Sequence, residues 1–269
     1  MKIAICGDSY CADIRKDPYP TYPYLVGKEF NAEVLGLGMG GCALFHSYEL
    51  MMENIDESDY IIFCVTESAR LPNKYRASVT ALSLSFENID NKWDYFPNDD
   101  KFYKMSEYSR DGGMVPSKKD MERFSEGVRL YYTDIMPWKF HKVAQRGILR
   151  EMDAVIKEYN KKCIFLESFS LSFCDYTFEN AVWGNLSLYH DISLPEEEFM
   201  TKEELNILRN NADFRANHMN EQNNRNMANF IIDVIKKDDF TPRELDMKEY
   251  GFSKGKQVIL NLAKINKHR

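Results

Sequence analysis

Apolar and polar positions alternate along this chain in two distinct periods. Apolar runs of strand length, with a charged residue only at an end, occur at 2–6 (Lys2-Ile3-Ala4-Ile5-Cys6), at 60–65 (Tyr60-Ile61-Ile62-Phe63-Cys64-Val65) and at 163–167 (Cys163-Ile164-Phe165-Leu166-Glu167). Runs without polar interruption suit strands covered on both faces. A short stretch, Glu33-Val34-Leu35, predicts a further strand ahead of a glycine cluster. Between these lie helical patterns. Pro23 to Phe30 reads as a helix with proline near its start, and 43–55 repeats Leu44, Tyr48, Met51, Met52 and Ile55 at helical spacing. The β-α-β-α-β order predicts a parallel sheet with helices on both faces.

The rhythm breaks after Arg70. Residues 71–136 are polar, aromatic and irregular, with short helices expected at 74–86 and 119–134. They read as an insertion or lid beside the carboxyl edge of the sheet. A long helix is predicted near 138–160, then the strand at 163–167, an irregular stretch at 170–200, and helices near 201–211 and 219–237. A last helical pattern (Val258, Leu260, Leu262, Ala263, Ile265) precedes a basic end. With no internal repeat and no low-complexity linker, 1–269 reads as a single α/β domain.

Composition narrows the choices. Aromatic residues make up 13% of the chain, too many for a disordered one. A net charge of -7 repels phosphate backbones and argues against nucleic-acid binding. No apolar run approaches the roughly 20 residues that span a bilayer. The N-terminal apolar stretch is too short for a secretory signal, so synthesis in the cytosol is expected. The six cysteines form no CxxC pair and no Cys/His zinc spacing, which predicts buried free thiols and no metal.

Chemistry concentrates at strand ends. Gly7-Asp8-Ser9 follows the first strand, where an open parallel sheet places its ligands. A serine there presents its hydroxyl beside backbone N–H groups able to hold negative charge. His218, in Asn217-His218-Met219-Asn220, enters the last core-like helix and is placed to take a proton from Ser9. Gly36-Leu37-Gly38-Met39-Gly40-Gly41 fits the dinucleotide-binding spacing, with Asp56 and Asp59 downstream. It follows the second strand rather than the first, which weakens that reading. Tyr19, Tyr22, Tyr24 and the aromatics at 93, 95 and 96 are either a sugar-stacking platform or packing, and Trp183, Tyr189 and His190 carry the same ambiguity. His46, His141, His190 and His268 have no metal-like spacing.

These stretches, with Val34 to Gly41 and Tyr60 to Val65, resemble the SGNH/GDSL hydrolase family. The resemblance implies a three-layer sandwich with a mostly parallel, flavodoxin-like sheet. It implies Ser9 as nucleophile, His218 as general base, and the N–H groups of Ser9 and Gly41 in the oxyanion hole. Asp8, Thr66, Glu67, Arg70 and Asn217 would contact substrate. The substrate class implied is a small or carbohydrate O-acyl ester, and no cofactor is needed. Two positions depart from the family pattern. Its third block, Gly-x-Asn-Asp, supplies an oxyanion-binding asparagine, but the chain reads Thr66-Glu67-Ser68-Ala69-Arg70. Ser68 is the position nearest that asparagine, and Thr66, Ser68 and Arg70 all remain as donors. The family's aspartate three residues before the histidine is replaced by Arg215, leaving Asp213, or a backbone carbonyl, to orient the imidazole. The alternative is a binding protein on the same fold that has lost turnover.

Overall fold

Six strands form one sheet in the order β2-β1-β3-β4-β5-β6, and every neighbouring pair is parallel. The computed structural model describes residues 1–12, 14, 19–38, 42–72, 123, 126–135, 138–169, 172–193, 201–202 and 218–253. The strands are β1 (Lys2–Cys6), β2 (Glu33–Leu35), β3 (Tyr60–Val65), β4 (Lys162–Glu167), β5 (Val182–Ser187) and β6 (Arg243–Leu245). The helices are α1 (Tyr22–Phe30), α2 (Leu44–Asn54), α3 (Trp138–Glu158) and α4 (Glu221–Lys237). Most of 71–136, the helix expected at 201–211 and the pattern at 258–265 lie outside the described residues.

The sheet divides two cores. Ile3, Ile5, Ile62, Cys64, Ile164, Leu166 and Val182 face α1 and α4, meeting Tyr22, Val26, Met227, Phe230 and Ile231. Ala4, Cys6, Ile61, Phe63, Val65, Cys163 and Phe165 face α2 and α3, meeting Met51, Ile55, Leu149, Met152 and Ile156. Alternate residues of one strand feed opposite cores. Since both faces are covered by apolar side chains, β1, β3 and β4 read as continuous apolar runs.

Two strands escape the sequence reading. β5 lies inside the stretch read as irregular, and β6 lies ahead of the final helical pattern, followed by a 3-10 turn at Lys248–Tyr250. In β5, Gly184 and Asn185 interrupt the apolar run. Gly184 is there because a Cβ would collide with the Met247 side chain. Asn185 bonds the segment after β6, donating to Asp246 and accepting from the Met247 N–H. The interruption therefore serves contacts that span 61 and 62 residues of chain.

Chain order places the site. From β1 the chain steps to β2 on one side, then crosses to β3 on the other. The crevice between the carboxyl ends of β1 and β3 is the switch point, where parallel α/β sheets bind ligands.

Candidate functional site

Gly7 opens the turn after β1 with φ of 140°, and a Cβ there would stand 2.5 Å from the Cys64 carbonyl oxygen. Only glycine meets both demands. Asp8 then closes the turn on itself. Its Oδ1 accepts the Tyr10 N–H (3.1 Å) and its carbonyl accepts the Cys11 N–H (3.2 Å). Ser9 is held at the turn's apex, half-buried. The glycine-rich loop packs down onto this turn. Gly38 donates its N–H to the Cys11 carbonyl (3.2 Å), and a Cβ at Gly38 would stand 2.6 Å from the Asp8 carbonyl oxygen. Gly38 thus serves close packing on the serine turn, while Gly36, at φ of 55°, lies against the Asn54 side chain. Gly41 lies outside the described residues.

Tyr10 links Ser9's turn to the far end of the chain. Its ring centroid lies 5.6 Å from that of His218 and 6.2 Å from that of Phe169. Its buried hydroxyl accepts from Ser193 Oγ (3.0 Å). The two residues after His218 anchor it. The Met219 carbonyl accepts from Tyr19 Oη (3.2 Å) and from Asn224 Nδ2 (3.0 Å). Asn220 caps α4, accepting the Asn223 N–H at 2.7 Å. The residue beside Ser9 and the predicted base are therefore in ring contact across 208 positions. Asp213 and Asn217 lie outside the described residues.

The loop after β3 forms the other wall. Thr66 is wholly buried, and its Oγ1 lies beneath the turn with Asp8 Oδ2 and Ser168 Oγ. These three oxygens come from the carboxyl ends of the adjacent strands β1, β3 and β4. None makes a direct hydrogen bond to a described residue. Burial raises the Asp8 carboxyl above its ordinary value, while Arg70, the Tyr10 N–H and the Ser168 and Thr66 hydroxyls pull against it. The Ser68 carbonyl is held by His141 Nδ1 (2.9 Å), whose Nε2 meets Tyr131 Oη (3.0 Å). Arg70 Nε donates to Glu67 Oε1 (3.2 Å) and Nη1 to the Cys42 carbonyl (3.4 Å). Its guanidinium lies 4.9 Å from the Phe169 ring centroid.

Sequence reading missed Tyr10, Ser168 and Phe169. The signal for the last two was available, since they directly follow β4 and the carboxyl ends of strands are where parallel sheets place function. The aromatic candidates divide. Tyr19 and Tyr22 are buried, the Tyr22 hydroxyl lying 3.3 Å from Cys64 Sγ, so both are packing. Trp183 sits in β5, 5.8 Å from Phe178. Tyr189, 5.2 Å from Phe169, extends the aromatic wall of the site toward His190. Among the described residues no cluster of His, Cys, Asp and Glu could hold a metal, and no helix is long and apolar enough to cross a membrane.

Fold and site together define an open parallel α/β protein with a serine-bearing turn at its switch point and a histidine brought against that turn. No family model matches the chain, and no curated protein does.

Proposed function

We propose that the chain is a serine acyl hydrolase of the SGNH/GDSL type, removing an O-acyl group, chiefly acetyl, from a carbohydrate or similar small ester. The observation that carries this reading is the ring contact between Tyr10 and His218, which ties the serine turn to the base. The strand order supports it as well, since β2-β1-β3-β4-β5 is the flavodoxin-like doubly wound order. On this reading Ser9 Oγ attacks the ester carbonyl carbon while His218 takes its proton and passes it to the leaving alcohol. The N–H groups of Ser9 and Gly41, with the Thr66–Arg70 loop, hold the oxyanion. Water then attacks the acyl-serine and regenerates Ser9. Asp213 orients the imidazole, and Asp8, Glu67 and Asn217 shape the substrate cleft. The aromatic wall of Tyr10, Phe169 and Tyr189 suits a sugar ring, and the 71–136 segment serves as a lid.

A fluorophosphonate probe tests the nucleophile. Wild type should be labelled, and Ser9→Ala and His218→Ala should not, with aryl acetates hydrolysed in parallel. An unlabelled wild type that cleaves no aryl acetate overturns the proposal. The second reading, a binding protein on the same scaffold, is favoured by the third block, which has no asparagine, and by Arg215 in the aspartate's place. It expects saturable binding of an acetylated glycan with no loss of acetate.

A further inference from the structure

We propose that the Arg70 guanidinium is the third oxyanion donor of this site, acting in the place of the asparagine that the family pattern has after β3. The inference rests on the acyl-hydrolase reading and deepens it. The loop offers three side-chain donors, Thr66, Ser68 and Arg70, since Glu67 accepts and Ala69 has no donor. Their surroundings separate them.

Thr66 is 0% exposed, and its hydroxyl is sealed beneath the turn beside Asp8. A hydroxyl buried so completely is closed to a ligand arriving from solvent. Ser68 is turned toward α3. Its carbonyl is held by His141, and its hydroxyl lies against the Cys174 thiol, partly opposing the rise that burial causes there. Both of its polar groups are thus engaged by other residues.

Arg70 is fixed from several sides. Nε is tied to Glu67, Nη1 to the Cys42 carbonyl, and the guanidinium stacks over Phe169. Its charge is felt by Asp8, the residue before the nucleophile. The guanidinium thus lies between the Cys42 carbonyl and the Phe169 ring that follows β4, near enough to the serine turn to act on the Asp8 carboxyl. A guanidinium carries five N–H groups. Two are used by these contacts, and Nη2 has no partner among the described residues. The side chain is 8% exposed, so the charge acts at low effective dielectric and needs no reorganisation as the oxyanion forms. An arginine supplies more positive charge than an asparagine amide does, which offsets the altered geometry.

The test compares wild type with Arg70→Gln, Arg70→Lys and Arg70→Ala on an aryl acetate. Arg70→Gln should lower kcat by about 100- to 1,000-fold with KM nearly unchanged, as expected for a contact made only in the transition state. Arg70→Lys should recover part of the loss. Added guanidinium ion should rescue Arg70→Ala, which a purely structural role would not allow. Arg243→Gln, which breaks the exposed ion pair with Asp239 at the start of β6, is the control and should match wild type. If Arg70→Gln does not fold, Arg70→Met keeps the apolar stem over Phe169 and takes its place. A wild-type kcat in Arg70→Gln, or a loss confined to KM, overturns the inference while the hydrolase reading stands. So does a loss carried by Ser68→Ala instead. A wild type that neither turns over nor takes the fluorophosphonate overturns both.

Discussion

Asp8 stands one peptide before the serine and is wholly buried, its carboxyl accepting the Tyr10 N–H. Its carboxyl is raised, with burial the largest cause. The unfolded chain releases that proton near the ordinary aspartate value of about 3.9. Between that value and the higher folded one, the native state holds more protons than the unfolded state, so this residue's contribution to stability falls as pH rises through the window. Asp8→Asn removes the titration while its amide can donate to the Thr66 and Ser168 hydroxyls. The expected outcome is a Tm difference, variant minus wild type, that grows as pH rises from about 4 toward neutral. Thermal melts across that range check it, and a constant difference would show that burial is not what sets the Asp8 carboxyl.

At the scale of elements, the approach of α4 to α1 decides where His218 lies. Three asparagines at the start of α4 do the anchoring. Asn220 caps the helix, and Asn223 reaches the Ile192 and Ser253 carbonyls. Asn224 accepts the Tyr22 N–H at the start of α1 and donates to the Met219 and Asn220 carbonyls. The two helices thus share their N-terminal hydrogen bonds beneath the predicted base. Asn220→Ala should cost about 1 kcal/mol, as a lost cap does. Asn224→Ala should cost more, about 2–3 kcal/mol, because it leaves the buried Tyr22 N–H without its partner and takes one of two donors from each of the Met219 and Asn220 carbonyls. Denaturant unfolding measures both. Aryl acetate turnover should fall more in Asn224→Ala than in Asn220→Ala, because Asn224 also holds the carbonyl next to His218.

Across the whole molecule, all six cysteines are free and buried, and four of them (Cys6, Cys11, Cys42, Cys64) surround the serine turn. Cys42 Sγ donates to the Gly7 carbonyl (3.3 Å) and Cys11 Sγ to the Asp8 carbonyl (3.4 Å). Burial pushes the Cys6, Cys11, Cys163 and Cys174 thiols up, which suppresses the reactive thiolate. An aromatic disulfide reagent should therefore react slowly with the native protein, at the rate of structural opening, and with all six thiols at once in concentrated guanidinium. Rapid native reaction of any thiol would show a core more open than the packing indicates.

The sequence by itself determined the centre of the sheet and singled out the two residues on which the proposed site rests. β1, β3 and β4 are legible because burial on both faces leaves a continuous apolar run, and α2, α3 and α4 because one buried stripe leaves a helical period. Ser9 and His218 are legible because each sits where a strand ends or a helix begins. What only the tertiary structure decided depends on neighbours distant in the chain. β5 and β6 keep Gly184 and Asn185 for contacts with Met247 and Asp246, so their local pattern is broken. Thr66 and Ser68 match Arg70 as donors in sequence. The structure separates them by burying one beneath Asp8 and tying the next to His141. The strand register that aligns Asp8, Thr66 and Ser168, and the helix packing that sets His218 against Tyr10, are long-range consequences of burial, which no local period encodes.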